Sequence, residues 1–382
     1  MTEPAEPPGP VDPGGAGTGG ALAVVERGLS LHDGAAPGQP SLLSVLDEPQ
    51  RVASDPSQAL ARRLEAYADI IDRDVGDTML VRARNLEREV GLRQLYLKFE
   101  GDNPSGTQKD RIAFAQAMDA LRRGYDGITV ATCGNYGAAL ATAAALAGLR
   151  CVVFIPRAYH TRRIEEMRAP GAEIVAVDGD YERAVRESRE RAGVDEIYDA
   201  NPGGANTALH LQAYGSIADE IYDELRDAPA AIAVPVSNGT TLAGIYRGFL
   251  SLFRRGRTSR MPRMIAGSAH GKNPIVQAFL RGLPRCEDLD PRSIRETPIN
   301  EPLINWHSFD GDHALDAVRA TSGWAGDARD RDMLAQARLI RELQGLSVLP
   351  ASAASLVVLL ERHRREALPG DRYVVVLTGR KA

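Results

Sequence analysis

Lysine is what this sequence has least of among its charged residues. Of 46 basic residues only Lys98, Lys109, Lys272 and Lys381 are lysines, leaving 46 − 4 = 42 arginines. Arginine keeps its proton at neutral pH, whereas a lysine amine can lose it and condense with a carbonyl. The four lysines are therefore candidates for work that arginine cannot do. Cysteine is scarce as well: Cys133, Cys151 and Cys286 are too few and too widely spaced for a disulfide framework or a CxxC zinc knuckle. That pattern points to a reducing, cytoplasmic setting. No apolar run reaches the ~18 residues that a membrane span needs, and the acidic, proline-rich start has no basic segment of a signal peptide. Nor is there an excess of positive charge. The balance of 46 basic against 51 acidic residues, net −5, argues against nucleic acid as a partner.

What remains is an ordinary globular composition, 43% hydrophobic and 25% charged over 382 residues. At ~150 residues per domain this is enough for two. Residues 1–20 hold five prolines and six glycines with no hydrophobic periodicity, so a disordered tail is expected over residues 1–42. A helix is expected over 59–72. Further on, the apolar runs GITVA, CVVFIP, AEIVAV and AIAVPV alternate with an alanine-rich stretch, TRRIEEMRA, YERAVRESRERA and a helix from about Leu242. A βαβα order requires a parallel sheet with helices on both faces. Strands near 264–268 and 373–377 and helices near 313–321, 330–343 and 351–366 complete the pattern. Ligands in such α/β folds sit where strand ends run into helix starts.

Three loops at such places carry chemistry. After GITVA comes Thr132-Cys133-Gly134-Asn135-Tyr136-Gly137, opening a helix whose amides and dipole would receive an anion such as a carboxylate. After AIAVPV comes Ser237-Asn238-Gly239-Thr240-Thr241, which has the composition of a phosphate cradle. Neither loop fits GxGxxG or GxxxxGK[ST], so a dinucleotide or P-loop site is not expected. The third is Asn103-Pro104-Ser105-Gly106-Thr107-Gln108-Lys109, where Ser105 or Thr107 could cap the helix that follows. Lys109 falls in its first turn, where the helix dipole disfavours a cation and lowers an amine's pKa. A rare lysine, an anion loop and a phosphate loop together suit a phosphate ester carrying an aldehyde, pyridoxal 5′-phosphate.

The arrangement resembles the pyridoxal-phosphate enzymes of fold type II, the tryptophan synthase β-like group, and within them the threonine synthase family. LYLKFEGDNPSGTQKDR looks like that family's lysine motif, TCGNYGAALA like its carboxylate loop and VPVSNGTTLAG like its phosphate loop. VFIPRAYHTRRIEEMRAPGAEIVAVDGDY, LSVLPASAAS and LTGRK extend the likeness from about residue 75 to the end. The resemblance implies open, twisted parallel sheets flanked by helices in two α/β domains. The smaller would span 106–204 and the larger 43–105 with 205–382, with the cofactor in the cleft between them. By the same resemblance Lys109 carries the Schiff base, Asn135 hydrogen-bonds the cofactor's 3′-oxygen, and the amides of Ser237, Asn238, Gly239, Thr240 and Thr241 hold its phosphate. Thr378 would face the pyridine nitrogen, while Ser105, Thr107, Thr132, Cys133, Gly134, Asn135, Tyr136 and Arg162 would meet an amino-acid substrate. A neutral hydroxyl at the nitrogen favours elimination and replacement over transamination. A homodimeric lyase or synthase of amino-acid metabolism is implied.

The substrate side departs from the family. Threonine synthases usually carry a segment like NPxRxxGxKT, whose Arg and Lys help to hold the substrate phosphate. Here Asn201-Pro202-Gly203-Gly204 and Gln212-Ala213-Tyr214-Gly215-Ser216 lack both cations, and EGxxxEPASAA reads Gln344-Gly345-Leu346-Ser347-Val348-Leu349-Pro350. Arg157, His160, Arg162 and Arg163 could supply substitutes. O-phosphohomoserine therefore stands beside O-phosphoserine or another serine ester, as in cysteate or diaminopropionate synthases, and beside serine or threonine as substrates. A non-catalytic ligand-binding protein is the alternative of a different class. The run Trp306 to His313 matches no metal motif; Asp310 or Asp312 is expected to cap a helix, and no metal is expected.

Overall fold

The computed structural model describes residues 46–132, 134–157, 163–368 and 370–381. The expected tail at 1–42 lies outside the described residues, as do Cys133, His160 and Arg162. The strands are β1 Leu80–Arg82, β2 Leu95–Phe99, β3 Gly127–Ala131, β4 Arg150–Pro156, β5 Glu173–Val177, β6 Tyr198–Asp199, β7 Ala231–Pro235, β8 Arg263–Ala269, β9 Trp324–Ala328 and β10 Tyr373–Leu377. The helices used below are α1 Leu60–Asp74, α2 Lys109–Arg122, α3 Asn135–Leu146, α4 Tyr181–Val194, α5 Thr207–Leu225, α6 Thr240–Arg254, α7 Gly311–Ala320, α8 Asp330–Gln344 and α9 Ala354–Arg365.

The strands form two sheets. One has six strands in the order β1-β2-β10-β7-β8-β9, and the other four in the order β5-β4-β3-β6. Every pairing is parallel except that of the edge strand β1 with β2. Each residue of β3, β7 and β10 is buried, as parallel strands covered by helices on both faces require. The alanine-rich α3 is buried nearly all round, which is why its sequence shows no polar face. One hydrophobic cluster runs through both sheets, joining Ile128, Val130 and Val153 of the smaller to Ile232, Val234, Val374 and Val376 of the larger.

A buried ion network ties the start of α2 to the larger sheet. The Arg111 guanidinium donates to Glu100 Oε2 at 2.6 Å and to Glu220 Oε1 at 2.6 Å, and Lys98 Nζ donates to Glu220 Oε2 at 2.5 Å. Lys98 is only 1% exposed, so one of the four rare lysines serves packing rather than chemistry. Burial alone would raise the Glu220 carboxyl, but the hydrogen bonds and charges of Arg111 and then Lys98 hold it down at about 2. Lys272 donates from its ammonium to the Arg295 carbonyl, and Lys381 is exposed. That leaves Lys109.

Candidate active site

Lys109 is placed by stitching its turn to the exit of β10. Gln108 N–H donates to the Thr378 carbonyl at 3.0 Å, Arg380 N–H to the Gly106 carbonyl at 2.9 Å, and Thr107 bridges Gly379. Gly106 sits at φ +80, where a Cβ would strike Arg380 Nε at 2.6 Å. The helix begins at Lys109 with Gln108 at the N-cap, and neither residue expected to cap it holds that place. Thr107 Oγ1 does accept from Lys109 N–H at 3.2 Å. Ser105 corrects the expectation: its hydroxyl and its N–H both donate to Asp110 Oδ2, at 2.8 and 2.9 Å, because the short turn brings that carboxylate underneath it. Burial raises the Asp110 carboxyl to about 6, against the pull of the Ser105 hydrogen bonds and of Arg163 and Arg380.

The Lys109 side chain enters a cavity lined by the carboxyl ends of β3, β7 and β10 and by the starts of α2, α3 and α6. Its Nζ lies 5.9 Å from the Tyr136 ring centroid. Thr107, Thr132, Gly134, Asn135, Tyr136, Ser237, Asn238, Gly239, Thr240, Thr241 and Thr378 line the same cavity, so the three loops converge. Ser105 is buried beneath this wall and is not part of the lining. Thr132 Oγ1 accepts from Gly134 and Gly137 N–H at 3.0 and 3.1 Å, which leaves its hydroxyl proton for the cavity. Thr378 Oγ1 lies 2.9 Å from Ser352 Oγ, so a neutral hydroxyl pair stands at the end of β10.

At the second loop, α6 starts at Thr240 with no side-chain cap on its first amides, and Ser237 to Thr241 line the cavity. The loop is braced from behind. Asp310 Oδ2 accepts from Thr240 Oγ1 at 2.6 Å and Oδ1 from Thr207 Oγ1 at 2.8 Å. Asp310 occupies the N-cap of α7 without capping it, since its carboxylate is turned to these hydroxyls. Asp312 is likewise no cap; it accepts from Cys286 N–H at 2.8 Å. Asn273 donates to the Ser237 carbonyl at 2.9 Å, and Asn305 to Asn238 Oδ1 at 3.3 Å.

Two of the substitute cations do not reach the cavity lining. Arg157 pairs on the surface with Asp178 at 2.7 Å, and Arg163 is turned to Asn135 Oδ1 at 2.8 Å and to the Ser105 carbonyl at 2.7 Å. Among the described lining residues the formal charges are those of Lys109 and Glu301. His210, on α5, also lines the cavity and was not singled out from the sequence. Burial, and then the charge of Lys109, push its imidazole down to about 3, so the ring is neutral. Its Nε2 is 2.5 Å from Gln116 Nε2, while Nδ1 has no protein partner. Its one sequence signal was a polar residue on the apolar face of a helix.

These residues fit pyridoxal phosphate. Gly239, at φ +87, lets the loop turn tightly against α7, where a Cβ would meet Ala314 Cβ at 2.7 Å. The uncapped helix start beside it suits a phosphate, and an amine, an amide and a hydroxyl surround the adjoining space. A parallel sheet with an uncapped helix start and a lysine at its strand ends is an arrangement that pyridoxal-phosphate chemistry can use. The chain belongs to the pyridoxal-phosphate dependent enzyme family, whose model matches residues 71–379. It is 30% identical over 305 residues to a threonine synthase of Methanocaldococcus jannaschii, covering 79% of this chain and 74% of that one. A Methanosarcina acetivorans threonine synthase is 31% identical over the same shares, and one from Mycobacterium tuberculosis 30% over 75% and 76%. The fold is also that of maize serine racemase, at a TM-score of 0.71 and 19% identity over 84% of this chain and 92% of that one. The processed form of threonine deaminase isoform 2 from Solanum lycopersicum superimposes at a TM-score of 0.67 and 16% identity over 87% and 93%. These are fold type II enzymes. The chain is thus a threonine synthase-like, pyridoxal-phosphate dependent lyase or synthase.

Proposed function

We propose that this enzyme catalyses elimination or replacement at the β- or γ-carbon of an activated amino acid, with the conversion of O-phosphohomoserine to threonine as reference reaction. The observation that carries the reading is the neutral hydroxyl of Thr378, paired with Ser352 at the end of β10 and lining the same cavity as Lys109, Asn135 and the Ser237 to Thr241 loop. When bound, pyridoxal phosphate supplies an electron sink for negative charge at the substrate's α-carbon. The rest falls to the chain. The amides at Gly239, Thr240 and Thr241 hold the phosphate, with Asp310 fixing the loop through the Thr240 hydroxyl. The α3 start, with the Thr132 hydroxyl, receives the substrate carboxylate. Lys109 would hold the cofactor covalently, and its Nζ would take and return protons as general base and acid. His210 stays neutral and does not compete with that amine for a proton. Residues 106–204, which contain all four strands of the smaller sheet, close on 43–105 and 205–382 to exclude water.

The charge inventory favours a second reading, β-replacement on O-phosphoserine or another serine ester, because Gly203, Gly204 and the segment from Gln212 to Ser216 place no cation where threonine synthases usually have two. Serine or threonine dehydration is the variant without a phosphate. A cytoplasmic location, drawn from the cysteine content, and a homodimer, drawn from the family likeness, belong to the same proposal. The test is to present the cofactor-loaded protein with O-phosphohomoserine, O-phosphoserine, serine and threonine and to measure phosphate release, 2-oxo acid and amino-acid products. Threonine with stoichiometric phosphate supports the first reading. Phosphate from O-phosphoserine alone supports the second, and turnover of none of them overturns both.

A further inference from the structure

Arg163 stands behind the cofactor wall rather than in it. Its Nη1 donates to Asn135 Oδ1 at 2.8 Å, its Nη2 to the Ser105 carbonyl at 2.7 Å, and its Nε and Nη2 to Glu166 Oε2 at 3.0 and 2.5 Å. The side chain is 17% exposed. A guanidinium has donors only, so the group of Asn135 that faces it must be the amide oxygen. That settles which way round the amide sits, a choice that geometry alone rarely fixes for asparagine. With its oxygen engaged, the Asn135 amide has only its two N–H groups left for the cavity it lines. Ser105, at the other end of the fork, is itself fastened to Asp110 beside Lys109. The guanidinium therefore joins the α3 start to the lysine turn and presents Asn135 as a donor.

We infer that Arg163 is a positioning residue of the cofactor site: it locks the Asn135 side chain so that an N–H, and not the carbonyl, meets the cofactor's anionic 3′-oxygen. The inference rests on the proposed place of Asn135 beside that oxygen. Without Arg163 the amide is free to turn, and half of its orientations put an oxygen lone pair against an anion. Arg163 thereby acts through Asn135 and touches neither substrate nor cofactor.

The experiment is a double-mutant cycle read by cofactor titration and by the visible spectrum of the bound cofactor. Arg163→Met is expected to weaken pyridoxal-phosphate binding about tenfold, the loss of one charge-oriented hydrogen bond. The cofactor's absorption should shift in the same direction as in Asn135→Ala. In the Asn135→Ala background the Arg163→Met change is expected to add less than about twofold. Arg163→Lys, able to hold one acceptor at a time, falls between wild type and Arg163→Met. If Arg163→Met does not fold, Arg163→Gln, which keeps an N–H donor but not the fork, carries the same comparison. A wild-type spectrum and affinity in the folded Arg163 variants, or effects that simply multiply in the double mutant, overturns the inference. Failure of the wild type to take up pyridoxal phosphate overturns the cofactor-site reading itself, which separates the two.

Discussion

Replacing Gly239 with alanine places one methyl group between the phosphate loop and α7, where there is no room for it. The residue sits at φ +87, and the new Cβ would lie 2.7 Å from Ala314 Cβ, 2.9 Å from Ile275 Cδ1 and 3.2 Å from the Asp310 carbonyl oxygen. Ile275 can turn its end aside. The Ala314 methyl and the Asp310 backbone cannot move without shifting α7. The left-handed backbone costs an L-residue about 1 to 2 kcal/mol, and overpacking a filled site about 1 to 3 kcal/mol. Gly239→Ala should thus lose roughly 2 to 5 kcal/mol in total. The loss can be divided in two ways. If the loop holds its shape, the cofactor-free protein is destabilised. If the loop yields, the protein keeps its stability and the cradle opens, at about tenfold in cofactor affinity per 1.4 kcal/mol. Urea unfolding of the cofactor-free protein and pyridoxal-phosphate titration, taken together, capture both. If each stays within about 0.5 kcal/mol of wild type, then Gly239 is not packed as described and the cradle argument fails.

Other perturbations follow from charges that the fold holds away from water. His210 titrates near 6.5 in an unfolded chain but is pushed down to about 3 by burial and then by Lys109. The unfolded state therefore takes the proton first, and stability falls as pH drops below about 6.5. By pH 5 the loss relative to alkaline pH is about 2 kcal/mol. His210→Gln should flatten this limb in pH-dependent urea unfolding, and an unchanged slope would contradict a buried neutral imidazole. Glu220→Gln leaves Lys98 without a carboxylate and Arg111 with Glu100 alone, and should cost about 3 to 5 kcal/mol at pH 7. Because the Glu220 carboxyl is held at about 2 against an ordinary 4.5, its contribution is present above pH 4.5 and fades as pH falls toward 2. The variant and wild type should then converge on acidification; a loss at pH 7 below about 1 kcal/mol would show the network to be idle.

Much of this was legible in the sequence because long, fully buried parallel strands announce themselves. GITVA and YVVVL coincide with β3 and β10, and the loops after GITVA and AIAVPV open α3 and α6 as expected. β1 and β6 were not legible, being three and two residues long, below any periodicity. The site was legible where chemistry demands a residue type: Lys109, Asn135, Thr378 and the Ser237 to Thr241 loop do share one cavity. What holds them was not. Asp310 read as a helix cap from its place before α7, yet its carboxylate reaches Thr240, 70 residues away in sequence. Asn273, Asn305, Ser352 and His210 likewise act across long sequence separations, where local pattern carries no signal. Lysine scarcity pointed to Lys109 but could not tell it from Lys98, whose role is settled by Glu220 in α5.

The central claim is that Lys109, alone among the four lysines, binds the cofactor covalently. The direct measurement is the visible absorption of the purified, pyridoxal-phosphate-loaded protein, repeated on Lys109→Ala and followed by borohydride reduction and peptide mass mapping. The account predicts a visible band in the wild type that is lost in Lys109→Ala, with the pyridoxyl mass fixed on the peptide containing Lys109. A band that survives the substitution, or a label found on Lys98, Lys272 or Lys381 instead, would contradict it.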